Sequence, residues 1–192
     1  MDTSLETMVR ALLDKQEITE LEYERARALD RHDRAGQLRV FTPDATTTYQ
    51  GWHGSIEEFL ATRSVTSGQA ETMGVMCHFI GNVLVYLDDE SHARSHCYHL
   101  CATSERKSDT SRIVIGRYFD WLVRTEDGWR IKHRDTVFDW FESQPSVPPY
   151  WSAQIGLPDM FVGTSDESDP FFTRFNSAAP LGPRDRPDDG RP

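Results

Sequence analysis

No apolar run in this chain approaches the ~20 residues that a membrane-spanning helix needs. Met1–Arg10 has no apolar segment of the kind a secretory signal carries, so a cytoplasmic location is expected. Cysteine is scarce: three residues, an odd number, with no CxxC spacing. That pattern reads as reduced thiols, not a disulfide framework. Lysine occurs only at Lys15, Lys107 and Lys132, and 21 basic residues face 31 acidic ones. A net charge of −10 with no basic stripe repels phosphate backbones. Nucleic acid and membrane surfaces are therefore not expected partners. The motifs GxGxxG, GxxxxGK(S/T), GxSxG and HExxH are all missing, which removes the main support for nucleotide, hydrolase-elbow and zincin chemistry. No cofactor is expected.

What is present is one domain's worth of patterned chain in 192 residues, 38% of them hydrophobic. Leu5, Val9, Leu12 and Leu13 keep helical spacing. Asp14 with Glu17 reads as a capping box that restarts the helix. Ile18, Leu21, Ala28 and Leu29 continue an apolar stripe. Asp33 is placed to cap a short helix, Arg34–Phe41, ending at Thr42-Pro43. The threonines and tyrosine of Ala45–Gln50 suit a first strand, followed by a turn over Gly51–Gly54. Ser55 with Glu58 is a second capping box, opening a helix near Ile56–Arg63, and Ser67–Gly74 reads as loop.

Four long strand-like runs follow: Cys77–Leu87, His92–Thr103, Arg112–Arg124 and Trp129–Phe141. The turn segments between them make an antiparallel meander. Helices followed by long strands give an α+β domain whose sheet curves round the helical stripes. In Arg112–Arg124 the odd positions carry Ile113, Ile115, Phe119 and Trp121, and the even ones Val114, Tyr118 and Leu122. Both faces are apolar, so one face should meet the helices and a pocket and the other a second subunit.

Composition shifts after Phe141, and nine of the ten prolines lie in Glu142–Pro192. The expected organisation is a barrel over 1–141, an aromatic-bearing extended arm over 142–177, and a tail over 178–192 too poor in apolar residues to fold.

Several side chains could carry chemistry. A lone His78 on a strand is ordinarily structural, and Asp30 at a helix end is ordinarily a cap or a solvated charge. Together they would make a base, because a carboxylate on one imidazole nitrogen fixes the tautomer and leaves the other free to take a proton. Arg25 lies within the apolar stripe, either snorkelling to the surface or pointed into a pocket. Arg134 shares strand parity with Thr136, Phe138 and Trp140, and is either a surface arginine or a stabiliser of developing negative charge. Cys97, His99 and Cys101 share one strand face. Cys97 and Cys101 are ~13 Å apart along a strand, too far for one zinc with ligands at ~2.0–2.3 Å. No metal site is expected. His99 and Cys101 read as pocket lining, with His99 a candidate second acid–base group.

The order of the segments Ile18-Thr-Glu-Leu21, Ala28-Leu-Asp30-Arg-His-Asp33, His78-Phe-Ile-Gly81-Asn82, Gly116-Arg-Tyr118-Phe-Asp120 and Asp127-Gly-Trp129-Arg130-Ile131 resembles the SnoaL-like branch of the nuclear-transport-factor/ketosteroid-isomerase superfamily. The resemblance spans about Leu12–Trp140. It implies a cone-shaped, cystatin-like α+β barrel and cofactor-free elimination, with the family aspartate on Asp30 and the family histidine on His78. By the same resemblance Tyr49 falls on a catalytic tyrosine, Arg25 on a pocket cation and Arg134 on a pocket arginine. Tyr118, Phe138 and Trp52 complete the implied substrate wall.

The expected activity is thus a lyase of dehydratase or dehydrohalogenase type acting on a hydrophobic cyclic small molecule. The expected assembly is a homo-oligomer, trimer or dimer. Isomerisation or cyclisation by the same pair, and a non-catalytic ligand-binding or dioxygenase small-subunit-like role, are the alternatives.

Overall fold

Ser4 opens the first helix by accepting the Thr7 backbone N–H on its hydroxyl. From there α1 runs unbroken over Leu5–Asp30. The computed structural model describes residues 4–62, 73–105 and 110–145, together with Gly163 and Asp169. The remaining elements are α2 (Arg34–Arg39), β1 (Phe41–Tyr49), β2 (Trp52–Ser55), α3 (Ile56–Thr62), β3 (Met73–Leu87), β4 (His92–Glu105), β5 (Thr110–Thr125) and β6 (Gly128–Pro145). The six strands form one sheet in the order β2-β1-β6-β5-β4-β3. The whole is an α+β cone, with helices seated inside a curved sheet.

Four local expectations are corrected. The helix does not restart at Asp14. Asp14 accepts a hydrogen bond from the Trp129 indole, and Glu17 takes the Trp129 backbone N–H. Both carboxylates are used to hold a tryptophan with no exposed surface. The second helix stops at Arg39, and β1 begins at Phe41 with Pro43 inside it. Residues 52–55 form strand β2, paired with β1 from Thr46↔Ser55 to Tyr49↔Trp52. The sheet is mixed, because β1 joins β6 in parallel.

Asp33 and Ser55 do cap their helices, accepting from the N–H groups of Gly36 and Glu58. The loop expected over 67–74 falls largely outside the described residues. The tail over 178–192 lies wholly outside them, as does the arm over 142–177 apart from its first residues at the end of β6, Gly163 and Asp169. Asp169 is buried and paired with Arg31 at 3.0 Å.

The core gathers Ile18, Phe41, Ile56, Leu60, Leu122, Trp129 and Ile131 at one end of the cone. Bulges bend the sheet around it. One lies in β3 between Gly81 and Leu84, where Asn82 takes a positive φ of 51°. Another lies in β6 at Asp139, opposite the step from Ile115 to Gly116 in β5. Curvature leaves the opposite end of the cone unfilled.

Candidate functional site

The end of α1 sets the site. Asp33 N–H bonds to the Ala28 carbonyl and His32 N–H to that of Leu29, with His32 at a φ of 52°. This is a Schellman stop with histidine where glycine is usual. It ends the helix at Asp30 and leaves that side chain on the face turned to β3.

There Asp30 grips His78 twice. Oδ2 accepts the His78 backbone N–H at 2.9 Å, and Oδ1 lies 2.6 Å from Nδ1. Both side chains are largely buried. With Nδ1–H directed at the carboxylate, the lone pair resides on Nε2, which has no protein partner among the described residues.

His78 lines a cavity of about 290 Å³. Its wall also carries Arg25, Tyr49, His99, Cys101, Tyr118 and Phe138, all candidates from the sequence. Arg25 is buried, and its guanidinium lies 4.9 Å from the Tyr118 ring centre. Burial pushes the Tyr49 hydroxyl up from its ordinary value and the Cys101 thiol up to about 12. Both therefore hold their protons at neutral pH. His99 stacks on Tyr118 at 4.3 Å and faces His78 at 6.3 Å between ring centres. Burial first, then the positive fields of His78, Arg25 and Arg134, holds the His99 imidazole down to about 3. That disfavours the charged form of the ring.

Two candidates lie elsewhere. Arg134 is 1% exposed and sits behind Tyr118, not on the cavity wall. Its guanidinium bonds Asp120 at 2.6 and 2.7 Å and Glu22 at 2.5 Å, with its carbon 4.3 Å from the Tyr118 ring centre. Two carboxylates hold it back from the cavity wall, and its Nη1 is buried with no hydrogen-bond partner among the described residues. Trp52 also leaves the wall, because β2 turns it onto Phe59.

The sequence reading missed Glu22, Asp120, Met76, Thr103, Arg112 and Val114. The signal existed for the first two. Glu22 falls between Ile18 and Arg25 on the buried stripe of α1, and Asp120 alternates with Tyr118 and Leu122 in β5. Among the described residues no group of three or more His, Cys, Asp or Glu is placed to hold a metal. None of the described helices is long and apolar enough to cross a membrane.

Residues 10–135 match the model of the SnoaL-like domain. The chain belongs to the SnoaL-like domain family. This SnoaL-like chain is 29% identical over 128 residues to the Mycobacterium tuberculosis protein Rv2910c, covering 66% of this chain and 86% of that one. Among solved structures it is similar to hexachlorocyclohexane dehydrochlorinase LinA-type3 from Novosphingobium barchaimii, at 16% identity and TM-score 0.63, covering 73% and 99% of the two chains. A nuclear transport factor 2-like superfamily protein from Salmonella enterica gives 16% identity and TM-score 0.61, covering 72% and 98%. At such identities the likeness is one of fold.

Proposed function

We propose that this SnoaL-like protein is a cofactor-independent lyase that expels a leaving group from a hydrophobic cyclic small molecule. The observation that carries the reading is the imidazole clamped by Asp30 with its other nitrogen unpartnered on a cavity wall. His78 Nε2 takes a proton from a carbon acidified by a neighbouring group. The electron pair left on carbon forms the new double bond, and the leaving group departs with its bonding electrons. Where that group is hydroxide, the proton returns from His78 to give water, so atoms and charge balance with no second reagent. Asp30 stabilises the transient imidazolium and fixes its orientation. Arg25 and the protonated Tyr49 face the developing negative charge. Arg134 acts at one remove, as the fixed cation beneath Tyr118. The dehydrochlorinase named above, which shares the fold, favours elimination among the chemistries such a base can begin.

The outer face of the sheet supports self-association. Phe79 is 64% exposed and Trp140 48%, with Tyr98 and Trp121 also exposed. We assign this face to a second copy of the chain, since a row of exposed aromatics on a central sheet face is costly in a monomer.

The test is a set of cyclic β-hydroxy ketones and halogenated rings incubated with the protein and read by product mass. Loss of water or hydrogen halide that vanishes in His78→Ala is the expected result. Unchanged mass with rearranged bonds would mean isomerisation or cyclisation instead, and loss that persists in His78→Ala would overturn the proposal.

A further inference from the structure

The described wall of the cavity carries two arginines, Arg25 and Arg112, and no aspartate or glutamate. A chain of net charge −10 has acids to spare, yet none lines this space. Asp30 stands behind His78, with both oxygens engaged there. Arg25 is 6% exposed, and its Nε is sealed without a hydrogen-bond partner. Its two terminal nitrogens are not sealed, and no carboxylate of a described residue is paired with them. The field of Arg25 reaches Glu22, but the Glu22 oxygens are already taken by Ser95 and Arg134. Arg134 makes the contrast plain. Both arginines meet the ring of Tyr118, at 4.9 and 4.3 Å from its centre. Arg134 is held by two carboxylates, and Arg25 by none. A buried cation is costly unless an anion completes it, and the side of Arg25 left open is the cavity.

We propose that Arg25 anchors a carboxylate carried by the substrate, so that the cavity takes hydrophobic ring acids in preference to neutral rings of the same shape. The ring is required by the rest of the wall, where Leu29, Phe59, Val114 and Phe138 are apolar. The carboxylate is required by the guanidinium, whose planar fork matches it and whose charge-assisted hydrogen bonds gain strength away from water. A neutral ring would fill the space and leave the cation unpaired. Each terminal nitrogen carries two N–H donors. A carboxylate bound across them leaves one donor on each for charge that develops at the reacting carbon. The anchor and His78 line one cavity, so fixing the carboxylate also fixes which carbon meets the base.

Only that last step rests on the proposed His78–Asp30 base; the binding does not, and the experiment separates them. Calorimetry at pH 8 compares 2-naphthoate with 2-naphthamide, the same rings without the charge, and with acetate, the charge without the rings. Wild type should bind 2-naphthoate at least about tenfold more tightly than either, as expected of a charge-assisted pair. The preference over the amide should fall below about twofold in Arg25→Met, which keeps the apolar stem, and persist in Arg25→Lys, which keeps the charge. In ¹⁵N spectra of the wild-type protein the Arg25 guanidinium should shift on adding 2-naphthoate, a readout independent of whether either variant folds. Equal binding of acid and amide, binding of neither, acetate binding as tightly as 2-naphthoate, or an unmoved Arg25 signal would overturn the assignment. A preference that survives in Arg25→Met would overturn it too, by placing the carboxylate elsewhere on the wall. Asp30→Asn should keep the preference, and its loss there would put the carboxylate on His78 instead. Ring acids bound in this way but never turned over would sink the lyase reading and leave the anchor intact.

Discussion

A methyl group added at Gly116 would lie 2.6 Å from Nε2 of His99 and 2.2 Å from the Val137 carbonyl oxygen. Those are overlaps, and the second is with backbone that cannot swing away. Glycine at this point of β5, beside a bulge, is what lets the His99 ring lie flat against the sheet.

Gly116→Ala should therefore destabilise the protein by ~1–3 kcal/mol, the usual cost of overpacking, and displace His99. Urea denaturation measures the first effect, and the His99 ¹⁵N resonances measure the second. An alanine variant with unchanged midpoint and unchanged His99 signals would contradict the geometry.

The Glu22–Arg134–Asp120 cluster makes an asymmetric prediction. Glu22 is held below its ordinary value by Arg134 against the opposing pull of burial, while burial pushes Asp120 well above its own. The two shifts run in opposite directions, and the expected consequence is that Glu22 matters more as the ionic partner of Arg134. Glu22→Gln should cost ~3–5 kcal/mol, as for a broken buried ion pair, and Asp120→Asn clearly less. Thermal unfolding of the two variants compares them directly, and equal losses would be inconsistent with this division of charge.

Stability should also carry the signature of a suppressed histidine. His99 is neutral when folded down to about pH 3, yet takes up a proton near 6.5 once unfolded. In that window the unfolded state binds more protons, so stability falls as pH drops from 6.5 toward 3. The stability present at neutral pH is what acid removes. His99→Phe should flatten this part of the curve, measured as denaturant midpoint against pH, and an unaltered slope would show that His99 titrates normally.

The cone was legible because its signals are periodic. The meander from β3 to β6 follows from alternation and turn residues, and the caps at Asp33 and Ser55 follow from local hydrogen-bonding chemistry. What could not be read were decisions made by distant partners. Asp14 and Glu17 look like a capping box, and only the fold brings Trp129 to claim them both. Pro43 looks like a helix stop, but α2 has already ended at Arg39, and Pro43 lies in a strand that β6 recruits in a parallel pairing no local pattern encodes. Strand parity left Arg134 open between a surface position and an inward one, and the fold buries it. Its two carboxylates come from α1 and from β5, and they turn a candidate contact into a buried support. The pairing of Asp30 with His78 was available only through the family resemblance, since nothing local joins positions 48 residues apart.

Self-association offers a simpler check. Phe79→Glu together with Trp140→Glu places charge on the outer face of the sheet without touching the core. Light scattering should show the wild-type chain as an oligomer and the double variant shifted toward monomer. A monomeric wild type would leave the exposed aromatics without the occupant assigned to them.

The most direct test of the whole account is the turnover of Asp30→Asn on a cyclic substrate that the wild-type protein converts. Asparagine keeps the shape and one oxygen but loses the charge that holds the imidazole. The account predicts a fall in kcat of ~10²–10⁴-fold with the fold retained by circular dichroism. A folded Asp30→Asn protein turning over at the wild-type rate would contradict it.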